Sequence, residues 1–266
     1  MDESLIVSAY MAGNSTVSIG KQFNIHYATV RDILVRNDIK LRSNKQNSRQ
    51  YCVDHTFFNS IDTEEKAYWL GFMAADGYVS STNGKRVGLA LSSCDEAHIQ
   101  KFLVSLKSNY KISRYRSKGY STNEYSRIVI YSDELYDALV KNGVVEHKTK
   151  VMEFPLFLDK SLLRHYIRGY FDGDGCLSIS DKVPQSHFLG TKEFLDNLSD
   201  YLEENKIVVN RNYYQRRSGC TALDMRLSGK NLFMFLNLIY TNASIVLDRK
   251  YEKYKEATAY FSRLYQ

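Results

Sequence analysis

The sequence predicts an α+β protein in which two pseudo-symmetric half-domains, each arranged αββαββα, follow a small all-α module. Two observations lead to this fold class. A ten-residue segment occurs twice, at residues 68–77 and 166–175, and each copy opens the same series of helical and alternating apolar patterns. Before the first copy, short helical patterns are followed by a basic run without periodicity.

The first 42 residues predict a helix-turn-helix module. Apolar residues recur at helical spacing over 3–11, 17–23 and 27–37, and a Gly-Asn-Ser break and an Asn-Ile-His turn separate the three stretches. The pattern resembles resolvase- and recombinase-type modules, in which the third helix enters the DNA major groove. The predicted DNA-contacting residues are Tyr27, Thr29, Arg31 and Arg36. A trihelical module without a DNA role is the alternative.

Residues 43–55 form the predicted linker, because they are polar and basic with no apolar periodicity. The half-domains then occupy 56–155 and 156–266. The predicted elements of the first are a helix ending at 75, strands 78–80 and 87–92, helix 95–106, strands 110–116 and 125–131, and helix 133–142. Those of the second are helix 160–171, strands 176–179 and 185–189, helix 191–205, strands 208–215 and 221–227, helix 230–240 and a last helix near 245–260.

The repeated segment carries small residues four positions apart, Gly71 with Ala75 and Gly169 with Gly173. Residues at this spacing share one helix face. A face without bulky side chains lets a second helix approach until the two backbones nearly touch. The two copies are therefore expected to pack against each other.

Each motif helix is expected to end at an Asp-Gly pair, with the glycine in the left-handed conformation. A carboxylate at the negative end of a helix is unfavourable by ~0.3–1 kcal/mol, and two such ends side by side increase the conflict. A divalent cation between Asp76 and Asp174 would remove it. The alternative is a pair of ordinary helix-ending turns.

These segments resemble the nine-residue signature of the LAGLIDADG homing endonucleases, at Trp69–Gly77 and Ile167–Gly175. The resemblance extends over residues 55–260. The first copy departs at Ala74, where many members have an acidic residue. The resemblance implies that the motif helices form the interface between the halves, and that Asp76 and Asp174 bind Mg²⁺ (or Mn²⁺) for DNA cleavage.

Two basic segments resemble those that return toward the active site in the family. They contain Lys148 and Lys250, which the resemblance implies are catalytic. A lysine there can stabilise charge or polarise water. A phosphate-binding or surface role remains open for each, with Lys150 and Arg249 as close substitutes.

Several predicted strands carry basic and polar residues at period two. A β-ribbon with such a face fits the major groove, where Arg can read base edges. The predicted DNA-contacting residues are Arg114, Arg116, Arg211, Tyr213 and Arg217. A solvated sheet face is the alternative.

Composition narrows the class of protein. The net charge of +6 favours a polyanionic partner, and double-stranded DNA is the expected one. The sequence contains no apolar stretch of membrane-spanning length and no signal-peptide pattern. Its four scattered cysteines suit a reducing compartment, which predicts a cytoplasmic location. The resemblance implies a nucleoid-associated protein of a bacterial or phage-infected cell, and two half-domains in one chain predict a monomer.

The function predicted from these features is site-specific, double-strand cleavage of DNA with Mg²⁺, by a homing endonuclease of a mobile element. A catalytically silent DNA-binding regulator and an intron-splicing maturase are the alternatives. Retention of both terminal aspartates, Asp76 and Asp174, favours the nuclease over a purely binding role.

Overall fold

The computed structural model describes residues 3–43, 51–116, 123–148, 151–180, 183–215 and 222–264. The chain divides into two compact units, Met1–Cys52 and Val53–Gln266. Among the described residues, no helix is both long and apolar enough to cross a membrane.

The N-terminal unit contains three helices, α1 (Glu3–Met11), α2 (Thr16–Phe23) and α3 (Tyr27–Arg36). The Ser15 side chain caps α2 by accepting a hydrogen bond from the Ser18 amide at 3.1 Å. Asn24, in the left-handed region with φ 52°, ends α2 and starts the turn. The buried core consists of Ile6, Tyr10, Ile19, Val30, Ile33 and Leu34. The predicted three-helix module is therefore confirmed as a local structure.

The C-terminal unit contains two halves with the same order of elements. The first half consists of α4 (Glu64–Ala75), β1 (Gly77–Ser80), β2 (Arg86–Ser92), α5 (Glu96–Ser105), β3 (Ser113–Arg116), β4 (Glu124–Tyr131) and α6 (Asp133–Lys141). The second consists of α7 (Lys160–Asp174), β5 (Cys176–Ser180), β6 (Val183–Gly190), α8 (Lys192–Glu204), β7 (Tyr214–Gln215), β8 (Leu223–Ser228), α9 (Gly229–Tyr240) and α10 (Asp248–Leu264). This repeat confirms the predicted α+β class.

Each half has one antiparallel four-stranded sheet. The strand orders are β1-β2-β4-β3 and β5-β6-β8-β7, which are equivalent. On β2, the alternate residues Val87, Leu89 and Leu91 are buried and pair with the buried face of β4. Period-two alternation thus gives each sheet one face that packs on helices and one that is open.

Two predicted strands are shorter in the structure, and the last helix is shifted along the chain. The strand predicted at 208–215 is limited to Tyr214–Gln215, and the one predicted at 110–116 is limited to Ser113–Arg116. The last helix spans Asp248–Leu264 rather than about 245–260. Before β7, the Arg211 side chain turns to Asp200 at 2.6 Å and Glu203 at 2.7 Å. These ion pairs hold the segment against α8, away from a strand partner.

The glycines that end the two motifs do not adopt the predicted left-handed conformation. Gly175 has φ −69° and ψ 153°, and Gly77 is likewise not among the described glycines with positive φ. Glycine is needed at these positions because there is no room for a side chain. A Cβ at Gly77 would overlap the Met73 side chain, and one at Gly175 would overlap the Phe171 ring. The chain passes directly from helix into strand at both positions.

Candidate active site and nucleic-acid surface

The two motif helices, α4 and α7, cross with their backbones in contact. A Cβ at Gly71 would overlap the Tyr166 carbonyl oxygen, and a Cβ at Gly169 would overlap the Tyr68 carbonyl oxygen. Further along the crossing, Gly173 packs on Ala75. The small-residue faces predicted from the repeat therefore form the interface between the halves.

This crossing brings Asp76 and Asp174 to the same end of the helix pair. Burial, followed by the repulsion of Asp174, raises the pKa of Asp76 to about 6. Burial also raises the pKa of Asp174, against the lowering influence of Lys148 and Lys250. Two partly buried carboxylates that repel one another at helix C-termini form a site that a cation would stabilise.

The two predicted lysines occupy equivalent positions beside these carboxylates. The Lys148 ammonium donates to the carbonyl oxygen of Gly77, and the Lys250 ammonium donates to that of Gly175. Each lysine thus contacts the last residue of the motif in its own half. The positive charges of both lysines lower the pKa of Asp76, against the larger raising effect of burial. The structure brings together all four residues that the sequence predicts to be catalytic.

The environments of the two lysines differ. Lys148 lines a cavity of about 340 Å³ that also reaches Asp174, Tyr78 and Tyr170. Lys250 is only 3% exposed, and it also donates to the carbonyl oxygens of Phe171 and Gly173 at the end of α7. Burial lowers the pKa of Lys148, and it lowers that of Lys250 to about 8.

The carboxylate pair fits a hard divalent cation. Within the residues that the structure describes, no group of three or more His, Cys, Asp or Glu side chains could hold a metal ion. Mg²⁺ is commonly bound by one or two carboxylates, with water and substrate phosphate completing its shell. Asp76 and Asp174 have the donor chemistry for such a site.

A buried polar network that sequence reasoning missed lies between the halves. Asp172, fully buried on α7, accepts hydrogen bonds from the Tyr68 hydroxyl at 2.7 Å and the Tyr240 hydroxyl at 2.5 Å. Arg168, also buried, forms an ion pair with Glu64 at 2.7 Å. The sequence signal was available, because the first copy has Leu70 and Ala74 at the equivalent positions.

The open face of each sheet carries an Arg–Tyr pair that was also missed. The Arg127 guanidinium lies 5.0 Å from the centre of the Tyr115 ring, and the Arg226 guanidinium lies 4.5 Å from that of Tyr214. Tyr115 pairs with Tyr125 and Tyr214 with Asp224, and in both halves the arginine comes two residues later. This repeat could have been found as an arginine at the fourth position of the last strand of each half.

Strand register places the predicted contact residues of the first sheet on the side where α5 packs. Arg114 pairs with Ser126, which is buried and donates to Glu96 on α5. Arg114 and Arg116 share this face at the sheet edge, where both side chains are exposed, and Arg114 forms an ion pair with Glu96 at 2.6 Å.

The predicted contact residues of the second half that the structure describes also lie beside acidic residues of a helix. Arg211 precedes β7 and pairs with acidic residues of α8. Tyr213 donates to Asp196, also on α8, at 2.9 Å. Arg217 lies outside the described residues.

In the N-terminal unit, the predicted contact residues lie on the exposed side of α3. Tyr27, Thr29 and Arg31 are all exposed, and Arg31 also lines a cavity of about 310 Å³. Arg36 is exposed as well, but it forms an ion pair with Glu3 at 3.1 Å.

Comparison with known proteins agrees with this architecture. Residues 63–142 match the family model described as a LAGLIDADG-like domain. Two curated relatives come from Methanocaldococcus jannaschii. The DNA-directed RNA polymerase subunit Rpo1C is 31% identical over 136 residues, or 50% of this chain and 15% of that protein. The probable translation initiation factor IF-2 is 25% identical over 202 residues, or 70% of this chain and 16% of that protein. The chain thus spans about a sixth of the length of these relatives.

Two solved structures align with most of this chain. The homing endonuclease I-WcaI bound to its DNA recognition sequence aligns with a TM-score of 0.53 and 14% identity, over 82% of this chain and 96% of that one. The N-terminal LAGLIDADG domain of DUF199/WhiA aligns at a TM-score of 0.44 and 15% identity, over 76% and 95%. The match to I-WcaI confirms the predicted fold of two LAGLIDADG halves in a single chain.

Proposed function

We propose that this chain, which carries a LAGLIDADG-like domain on the LAGLIDADG endonuclease fold, is a site-specific endonuclease that hydrolyses both strands of a DNA duplex. The observation that carries the proposal is the pair of aspartates at abutting helix ends. Asp76 and Asp174 come from different halves, and burial raises the pKa of both. A fold without catalysis gains nothing from two carboxylates at positions where they repel each other.

In this proposal Asp76 and Asp174 hold Mg²⁺ or Mn²⁺. When bound, a divalent metal polarises the scissile phosphate and supports activation of the attacking water. The chain's own residues bind, orient and balance charge around it. Lys148 and Lys250 place positive charge beside the carboxylates, which limits their repulsion before DNA arrives and stabilises negative charge on the phosphate during cleavage.

The open faces of the two sheets support duplex binding. Each presents an arginine above a half-exposed tyrosine, Arg127 with Tyr115 and Arg226 with Tyr214. An arginine held by a ring is oriented before binding, and bidentate pairing with a guanine edge is the most common specific contact in the major groove. Both halves belong to one chain, so a monomer suffices for two half-sites.

We further propose that the chain belongs to a mobile genetic element and acts in the cytoplasm of the host cell. Rpo1C and IF-2 are named for different processes, transcription and translation. Each of these two relatives matches this chain over only about a sixth of the relative's own length. A segment shared by otherwise unrelated proteins is the distribution expected of a mobile sequence. The N-terminal helices, with Tyr27, Thr29 and Arg31 exposed on α3, would lengthen the recognised site.

Selection from a randomised duplex library tests the proposal. The protein is incubated with the library and Mg²⁺, and the ends of cleaved products are sequenced. The matched control is the Asp76→Asn, Asp174→Asn double variant. We expect one enriched cut site for the wild type and none for the double variant.

Other outcomes of the same experiment would replace the proposal. Enrichment of bound but uncut duplexes would favour the DNA-binding regulator. Equal cleavage by the double variant would show that the two aspartates do not hold the catalytic metal. Selective retention of structured RNA over duplex DNA in a parallel capture would favour the maturase.

A further inference from the structure

The segment that leads into the first residues of α10, residues 244–249, is held by side chains at every position. Three of these side chains belong to the motif helices. The contacts are Glu64 Oε1 with the Ser244 amide at 2.9 Å, Arg168 Nε with the Ile245 carbonyl at 2.9 Å, and Asp172 Oδ2 with the Leu247 amide at 2.8 Å. Each donor or acceptor on the segment is a backbone group, so these contacts fix the path of the main chain.

The remaining contacts come from α5 of the first half and its N-cap. Lys101 donates to the Val246 carbonyl at 3.0 Å and to the Asp248 carboxylate at 2.6 Å. Arg249 forms an ion pair with Asp95 at 2.8 Å. Residues from both halves therefore converge on one short segment.

Asp172 is the innermost of these contacts. It is fully buried, and all three of its described partners, Tyr68, Tyr240 and Leu247, donate to it. An asparagine at this position could accept from Tyr68 and Leu247 only by turning its NH₂ group toward the Tyr240 hydroxyl, which would then have to accept instead of donate. The site thus favours a carboxylate, although burial raises its pKa.

The contact between Asp172 and Leu247 leads directly to Lys250. The Leu247 carbonyl accepts from the amides of Lys250 at 2.9 Å and Tyr251 at 3.0 Å, which forms the first turn of α10. The Lys250 ammonium then returns to the carbonyls of Phe171 and Gly173, on either side of Asp172. The end of α7 and the start of α10 are closed into one hydrogen-bonded ring.

Within its described residues, the first half has no equivalent of this ring. Ala74 stands where the second half has Asp172, and Lys148 follows a turn fixed by Glu146, which accepts from the Ser81 amide at 2.6 Å. The extra acid of the second motif therefore has a role that is specific to the second half.

We propose that Asp172 is a positioning residue that places the ammonium of Lys250 at the catalytic carboxylates. Its role in cleavage rests on the proposed endonuclease function, whereas the placement of Lys250 does not. Asp172 contacts no substrate. It acts by anchoring Leu247, and through the first turn of α10 it sets the position from which Lys250 extends.

Reactivity of the lysine amine tests the placement without DNA. The full chain and its Asp172→Asn variant are treated with an N-hydroxysuccinimide acetate, and the acylation rate of each lysine is measured by peptide mass spectrometry. We expect Lys250 to react about tenfold faster in the variant, because a lost buried hydrogen bond lets the turn open more often. Lys148, which is half-buried and contacts neither Asp172 nor Leu247, should react at an unchanged rate.

Two controls separate positioning from general loosening. Asp248→Asn removes an exposed ion pair from the same segment, and the Lys250 rate should stay within about twofold of wild type. If Asp172→Asn does not fold, Tyr240→Phe removes one donor from the same carboxylate, and the Lys250 rate should still rise. An unchanged Lys250 rate, or an equal rise at Lys148, would overturn the placement.

A double-mutant cycle on cleavage tests the catalytic part. If Asp172 acts through Lys250, the Asp172→Asn, Lys250→Ala pair should cleave no more slowly than Lys250→Ala alone. Combined with Lys148→Ala, the Asp172→Asn effect should multiply. Multiplication in both pairs would overturn the proposal, while a wild type that cleaves no DNA would overturn the proposed function and leave the acylation result to decide the placement.

Discussion

The lysine beside the carboxylate pair, Asp76 and Asp174, comes from a turn in the first half and from a helix in the second. Lys148 lines a cavity, whereas Lys250 is 3% exposed and caps the carbonyl end of α7. The second motif helix also carries buried Arg168 and Asp172, where the first has Leu70 and Ala74. One half therefore assembles its site through a polar network, and the other assembles a similar site with apolar packing.

This difference shows that a similar pair of aspartate and lysine side chains can be held in place by different surrounding interactions in the two halves. A buried ion pair or network contributes little net stability compared with apolar packing, but losing one partner is strongly destabilising. We therefore expect substitutions at matched positions of the two halves to have different consequences, first for cleavage and then for stability.

The largest effect is expected from the aspartates. Asp76→Asn and Asp174→Asn should each reduce double-strand cleavage at least roughly 100-fold, since each removes a proposed metal ligand. Binding should be retained, because both substitutions remove negative charge near phosphate. Gel analysis of a supercoiled plasmid containing the target checks this and also resolves nicked product. A nick by only one of the two variants would show that the halves cut independently, and full cleavage by either would contradict the assignment.

Next come the lysines. Lys148→Ala and Lys250→Ala should each slow single-turnover cleavage about 10- to 100-fold, with smaller effects on affinity. Only Lys250→Ala should also lower the melting temperature clearly, because it leaves three buried or partly buried carbonyl oxygens without their donor. Calorimetry alongside the rate measurement checks both. Weaker binding with an unchanged rate would identify either lysine as a phosphate clamp.

The arginines of the open sheet faces should have a smaller and more local effect. Arg127→Ala and Arg226→Ala should each reduce the binding free-energy difference between the target base and other bases by about 1–3 kcal/mol. The two effects should fall in opposite half-sites. Arg114→Ala and Arg211→Ala are the matched controls, since both side chains are paired with acids of the helix layer. Competition binding against single-base variants of the target measures this. A loss of specificity in the controls equal to that in the open-face variants would return DNA reading to the positions predicted from sequence.

Without metal, Asp76→Asn should stabilise the protein above pH 6. The folded-state pKa of Asp76 is raised from 3.8 to about 6, so between these values the folded protein keeps a proton that the unfolded chain has released. Stability is therefore lost as pH rises through this window, and the asparagine variant escapes the loss. At pH 7.5 in EDTA, we expect the variant to gain about 1–2 kcal/mol in free energy of unfolding, or roughly 2–8 °C in melting temperature. This difference between the variant and the wild type should disappear near pH 4. A gap that is independent of pH would contradict this origin.

The mildest change is expected from removing residues 1–50, which lie within the N-terminal unit. They carry seven Lys or Arg and four Asp or Glu, so their loss should flatten the salt dependence of binding and shorten the footprint. The cut phosphates should not change, because both aspartates are retained. Footprinting at two salt concentrations checks this, and an unchanged footprint and salt slope would show that the three helices do not read DNA.

The sequence predicted the features that depend on local patterns. Small residues at Gly71 and Gly169 predicted the helix contact, and the repeated terminal acids predicted the carboxylate pair. It could not predict the features that depend on register or on distant partners. Whether Arg114 or Tyr115 occupies the open face depends on which residue of β4 lies opposite.

The role of Asp172 was hidden for a related reason. Its partners Tyr68, Tyr240 and Leu247 lie 68 to 104 residues away in the chain, so no local pattern connects them. The strand predicted at 208–215 forms only at its last two residues. Arg211 and Tyr213 bind acids of α8, and their alternation has the same period as a solvated strand.

The contact between the motif helices has a consequence for how such a chain can diverge. The Tyr166 carbonyl packs on Gly71, and the Tyr68 carbonyl packs on Gly169. The contact surfaces of the two motif helices are therefore equivalent and complementary to each other. Two identical chains could share an isologous surface of this kind under two-fold symmetry. Covalent joining removes the symmetry requirement, because either copy can then mutate alone. A buried arginine and aspartate on only one side, as with Arg168 and Asp172, are possible only after that requirement is lifted.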